Sequence, residues 1–126
     1  MKRILLSFLL AAMTLNAADT RVFELRTYTT KEGRLEVLMT RFREHTIRLF
    51  EKHGMENIGY WVADDKPNTL IYIVAHRSRE AAKKSWDAFR ADPDWVKARA
   101  ASEAAGAVVD KVESVFMSPA DFSKFK

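Results

Sequence analysis

The stretch Thr69-Leu70-Ile71-Tyr72-Ile73-Val74-Ala75-His76 decides the fold. It is apolar at nearly every position, and its β-branched and aromatic residues favour an extended strand. A strand with one wet face alternates apolar and polar side chains. This one does not alternate, so both of its faces are predicted to be buried. Asp64-Asp65-Lys66-Pro67-Asn68 forms a turn before it. Upstream of that turn, Glu56 to Ala63 reads as a second strand, carrying Ile58, Tyr60, Trp61 and Val62.

Working outward, Arg21 to Thr29 reads as a first strand, with Val22, Phe23, Leu25 and Tyr28 among Glu24, Arg26 and Thr27. Lys31-Glu32-Gly33 is a turn. From Arg34 the period changes: Leu35, Leu38, Met39, Phe42, Leu49 and Phe50 make one apolar helical stripe. Gly54 is placed to end that helix in a left-handed conformation, with Met55 closing over it. On the other side of the central strand, Ser78 caps a helix that carries Ala81, Trp86 and Phe89. Asp92 caps another with Pro93 at its first position, and the alanine-rich stretch after it is predicted to stay helical through Ala107. Lys111 to Met117 reads as the last strand, ended by Ser118-Pro119.

The order strand, helix, strand, strand, helix in two pieces, strand is the split βαβ, or ferredoxin-like, arrangement: an α+β fold with a four-stranded antiparallel sheet. Helices cover one sheet face. The central strand makes the other face apolar too, which predicts a homodimer with two sheets packed face to face.

The chain has 126 residues, room for one domain, and no cysteine. That excludes disulfides, a thiolate nucleophile and a cysteine-held metal. Met1-Lys2-Arg3, the uncharged apolar stretch from Ile4 to Leu15, and Asn16-Ala17-Ala18 have the layout of a secretory signal peptide. The apolar stretch is short of the roughly 20 residues of a membrane span. Residues 1–18 are therefore expected to be cleaved, leaving a domain at 19–118 and a tail at 119–126, with no stable membrane insertion. The destination is the periplasm or the medium. Cleavage removes Lys2 and Arg3 and lowers the net charge from +4 to +2. No basic stripe marks a nucleic-acid surface.

Three motifs resemble those of the NIPSNAP family. Phe23-Glu24-Leu25-Arg26-Thr27-Tyr28 followed by Gly33 resembles its opening. His53-Gly54 before Ile58-Gly59-Tyr60-Trp61 resembles its second segment. Ser78-Arg79-Glu80-Ala81 with Trp86 and Asp92-Pro93-Asp94-Trp95 resembles its third. The resemblance implies a dimeric α+β barrel, in a superfamily that includes small monooxygenases and haem-dependent chlorite dismutases with ligands between sheet and helices. It implies no settled activity.

Among candidate site residues, His45 follows Phe42 by three and precedes Leu49 by four. It is expected on the inward stripe, where it is either a general base or a packed core histidine. Glu24, Arg26 and Tyr28 share one face of the first strand. Arg26 there is a candidate for a substrate carboxylate with Tyr28 as donor, or Glu24 and Arg26 pair across the dimer. Tyr60, Trp61, Tyr72 and Trp86 are candidates for an aromatic lining, or plain core. His45, His53 and His76 have no metal-ligand spacing, and no cofactor is indicated. The leading expectation is a homodimer that binds a small apolar or aromatic molecule, or a protein partner. The alternative is a cofactor-independent, monooxygenase-like or isomerase-like enzyme using His45; haem binding comes third.

Overall fold

In the computed structural model, which describes residues 21–126, the strands β1 (Val22–Thr30), β2 (Glu56–Val62), β3 (Thr69–His76) and β4 (Val109–Met117) form one antiparallel sheet. Its order is β2-β3-β1-β4, the ferredoxin-like arrangement. The signal segment expected at residues 1–18 lies outside the described residues. Among the described residues, no helix is long and apolar enough to cross a membrane.

The register sorts side chains by chemistry. Glu24 stands opposite Val74 and Phe116, and Arg26 opposite Tyr72 and Ser114. Glu24, Arg26 and Tyr28 thus share the inner face with Leu70, Tyr72, Val74 and His76. Leu25 stands between Ile73 and Val115 on the outer face. The inner face is covered by α1 (Leu35–Arg41), a π-helical turn (Phe42–Thr46), α2 (Ile47–Lys52), α3 (Arg79–Ala91) and α4 (Pro93–Ser102). Leu38, Phe42, Leu49 and Phe50 pack on Leu70, Tyr72 and Val74, with Trp86 and Phe89 closing the core. The outer face has no such cover. Ile71 and Ile73 are half-buried there, while Trp61 is 53% and Val115 56% exposed. Only at one end does the C-terminal segment reach this face, where Phe125 meets Phe23 edge-on with ring centroids 6.5 Å apart.

Local signals set the element ends. Ser78 Oγ accepts from Ala81 N–H at 2.9 Å, and Asp92 Oδ1 accepts from Asp94 N–H at 2.9 Å. Gly54 has φ +84°; its N–H donates to Glu51 O and that of Met55 to Phe50 O, which closes α2 with Met55 buried over the last turn. Lys52 Nζ and His53 Nε2 both reach Asp92 Oδ2, at 2.8 and 2.7 Å, so the end of α2 is tied to the start of α4.

Two expectations are corrected. The first helix is not one regular stripe, because the π turn inserts an extra residue into it. And α4 stops at Ser102 rather than Ala107. Ala104, Ala105 and Ala107 are exposed, Gly106 takes φ +120°, and Val108 is drawn into the core. Tertiary anchoring outweighs the helix propensity of alanine there.

Gly54→Ala keeps the space but forces a side chain into the left-handed region. The Cβ would meet Ser85 Oγ at 3.6 Å, an ordinary contact, so the effect is one of backbone conformation. A loss of about 1–2 kcal/mol in urea denaturation is expected; an unchanged midpoint would contradict it.

Candidate functional site

Glu24 is the most connected side chain of the inner face, and it is 1% exposed. Its Oε1 accepts from His76 Nε2 at 2.9 Å and Trp86 Nε1 at 2.8 Å. Its Oε2 accepts from Arg26 Nη1 at 2.8 Å and Ser114 Oγ at 2.6 Å. Donors from β1, β3, β4 and α3 thus converge on one carboxylate. Burial alone raises the Glu24 carboxyl; the hydrogen bonds from His76, Ser114, Arg26 and Trp86 outweigh it and hold the group at about 2. The Glu24–Arg26 pair forms within the strand, on the sheet face that the helices cover.

Arg26 extends this network. Its guanidinium lies 4.2 Å from the centroid of the Trp86 ring, and Nη2 donates to Tyr28 Oη at 3.3 Å. Tyr72 Oη donates to the same Tyr28 oxygen at 3.0 Å. Burial is the main influence on Arg26 and works against its charge, but nearby phenols and Glu24 hold the guanidinium above its usual range.

A cleft of about 450 Å³ opens between the inner face and the helices. Arg26, Tyr28 and Trp86, three of the expected ligand residues, line it. Tyr60 and Tyr72 do not. They stack on each other behind it, with centroids 5.0 Å apart, and Tyr60 Oη donates to Asn57 Oδ1 at 2.5 Å. Burial pushes the Tyr60 hydroxyl, and that of Tyr72, well above the usual range. Trp61 faces away, on the outer side of the sheet.

His45 also lies outside the cleft, a second correction of the expected site. It lines a shallow groove with Glu36, Val37 and Ala98, its side chain is 41% exposed, and Nε2 lies 3.9 Å from Glu44 Oε2. The π turn is the reason. Its extra residue turns the helix so that Thr46, 1% exposed, takes the inward position after Phe42. The Thr46 hydroxyl donates to Arg41 O at 3.3 Å.

Sequence reasoning missed Arg41, Thr46, Phe89 and Trp95 as lining residues. One signal for Arg41 was present: it follows Leu38 by three, on the apolar stripe. Among the described residues, no group of three or more His, Asp or Glu is placed to hold a metal ion.

A family model described as NIPSNAP matches residues 23–124. No curated protein sequence matches the chain. Among solved structures, a NIPSNAP family protein of unknown function from Agrobacterium tumefaciens is 24% identical, with a TM-score of 0.73 over 84% of this chain and 94% of the other. A second from the same organism is 20% identical, with a TM-score of 0.74 over 84% and 99%. SnoaB, a cofactor-independent oxygenase from Streptomyces nogalater, is 15% identical, with a TM-score of 0.59 over 83% and 98%.

Glu24→Gln removes the charge and turns a donor toward donors, leaving Arg26 without its counter-ion. A loss of about 3 kcal/mol in chemical denaturation at pH 7 is expected. The Glu24 carboxyl titrates at about 2 when folded, against an ordinary 4.5. Its contribution is therefore complete above pH 4.5 and is lost as pH falls toward 2. The variant should show a shallower fall in stability over that window, and equal acid limbs would refute the assignment.

Proposed function

The chain belongs to the NIPSNAP family, and on that footing we propose that it is an exported homodimer holding a small aromatic molecule in the cleft between sheet and helices. The cleft itself carries this reading. Tyr28, Phe42, Phe50, Trp86, Phe89 and Trp95 line it, and its volume of about 450 Å³ suits one small ligand. Its rings meet mostly edge to face, as Phe50 does with Trp86 at 5.2 Å, which leaves edges and faces for a further ring.

The oxygenase among the structural neighbours gives a cofactor-independent enzyme some support, as a monooxygenase-like or isomerase-like activity. His45 is not placed to be its base, and none of the three histidines lines the cleft. A haem there would find no histidine ligand, since no imidazole lines the cleft. Binding at the outer helices by a protein partner is the remaining alternative.

The outer sheet face supports the dimer. Leu25, Trp61, Ile71, Ile73, Val115 and Met117 stand together on it by strand register. The Trp61 indole lies over Gly59, where a Cβ would come within 2.5 Å of the ring. The glycine lets a large aromatic lie flat on the sheet, a shape suited to a facing sheet. The signal-like residues 1–18 support export.

Native mass spectrometry on protein recovered from the periplasm or the medium tests all three parts. The expected species is a dimer of chains beginning at Ala18 or Asp19, with a small-molecule mass that denaturation releases. An empty dimer would move the search to the outer helices, and full-length chains retained in the cytoplasm would sink the export reading. Trp61→Glu should weaken the dimer by at least about tenfold in sedimentation with the circular dichroism unchanged.

A further inference from the structure

Arg41 is 5% exposed, yet among the described residues no carboxylate lies within ion-pair distance of it. Its Nη1 donates to Ser102 Oγ at 3.1 Å, its Nε has no partner, and its guanidinium lies 5.1 Å from the centroid of the Trp95 ring. Glu103 acts on it only from beyond that range, whereas the other cations at the cleft have a carboxylate within it. Arg26 has Glu24 at 2.8 Å, Arg99 has Glu103 at 3.2 Å, and Arg90 has Asp87 at 3.9 Å. The two carboxylates that line the cleft are engaged, Glu103 by Arg99 and Asp110 by Lys31 at 2.6 Å. A buried charge without a counter-ion is strongly unfavourable, and arginine does not shed its proton to escape. Burial accordingly pushes the Arg41 guanidinium below its usual range.

Tyr28 supplies a second observation. Its hydroxyl oxygen accepts from Arg26 and from Tyr72, so its own proton is left to donate, and the side chain borders the cleft. A buried cation without an anion and a phenol with a free proton thus line the same aromatic cavity. We propose that the cleft takes an aromatic carboxylate, its ring against Trp86, Phe89 and Trp95 and its carboxylate on the Arg41 guanidinium and the Tyr28 hydroxyl. This rests on the aromatic-binding reading and adds the charge of the ligand. Arg26, which its strand position recommends for the carboxylate, already holds one in Glu24. A single buried cation with no carboxylate in ion-pair range matches a monoanion better than a phosphate dianion.

The test uses 2-naphthoate and its uncharged analogue 2-naphthamide, titrated into the full protein while the indole N–H signals of Trp86 and Trp95 are followed by NMR. The wild type should bind naphthoate at least about tenfold more tightly than naphthamide. Arg41→Met should abolish that preference, weakening naphthoate more than naphthamide, and melt no lower than the wild type, because an apolar residue replaces an uncompensated charge. Arg41→Lys should retain a reduced preference. Equal affinity of the wild type for both probes, or a preference that survives Arg41→Met, would overturn the anion assignment and leave the aromatic cleft standing. Failure of both probes to shift either indole would overturn the cleft reading itself. Should Arg41→Met not fold, the wild-type preference and its reduction in Arg41→Lys decide the matter.

Discussion

The carboxylate of Glu24 is surrounded by four donors drawn from four different elements: Arg26 on β1, His76 on β3, Ser114 on β4 and Trp86 on α3. A buried carboxylate tolerates so dry a place only when its lone pairs are filled. Each donor is placed by the fold, and each in turn fixes the fold near it. Shifting β4 by one residue against β1 would swap Ser114 to the outer face and strand an oxygen. Tilting α3 would withdraw the indole N–H. The network thus couples sheet register to helix docking, a specificity that apolar packing alone supplies less sharply.

The same network shapes the cleft beside it. With Arg26 drawn onto Glu24 and over the Trp86 ring, one wall becomes a fixed polar and aromatic surface. The opposite wall comes from the helices, where Phe89 and Trp95 lie with centroids 4.6 Å apart and Arg41 reaches in beside Trp95. The contrast between the two arginines is instructive. Arg26 is paired with Glu24; Arg41 has a serine hydroxyl and the Trp95 ring, and no carboxylate within ion-pair distance. Proteins rarely retain an uncompensated buried charge without a use for it.

Much of the architecture is legible in the residues. The unbroken apolar run gives β3 its full extent from Thr69 to His76, and Ser78, Asp92 and Gly54 mark helix ends by local chemistry that operates as it does in peptides. The common face of Glu24, Arg26 and Tyr28 follows from the period of a strand. What is hidden is non-local. Nothing near Glu24 in sequence announces that Ser114, ninety residues away, will meet it. The π turn is hidden for another reason. The apolar positions Leu35, Leu38, Phe42 and Phe50 fit a regular helix and a bulged one about equally well, and the two differ only in whether His45 or Thr46 turns inward. The reading of α4 failed because alanine favours helix wherever the chain is free to choose, and after Ser102 the burial of Val108 removes that choice.

The π turn also makes the first helix a two-part device. Losing one residue between Phe42 and Thr46 would restore regular winding at that turn alone, because a π turn absorbs its extra residue and leaves the helix on either side in phase. Leu38 before the turn and Leu49 after it would keep their places, and only the side chain that follows Phe42 on the inward side would change. A single-codon deletion could in this way replace the residue presented at one wall of the cleft without touching the Glu24 network. The shape of that wall could then differ between descendants of this chain through a local change in winding, with the rest of the lining unaltered.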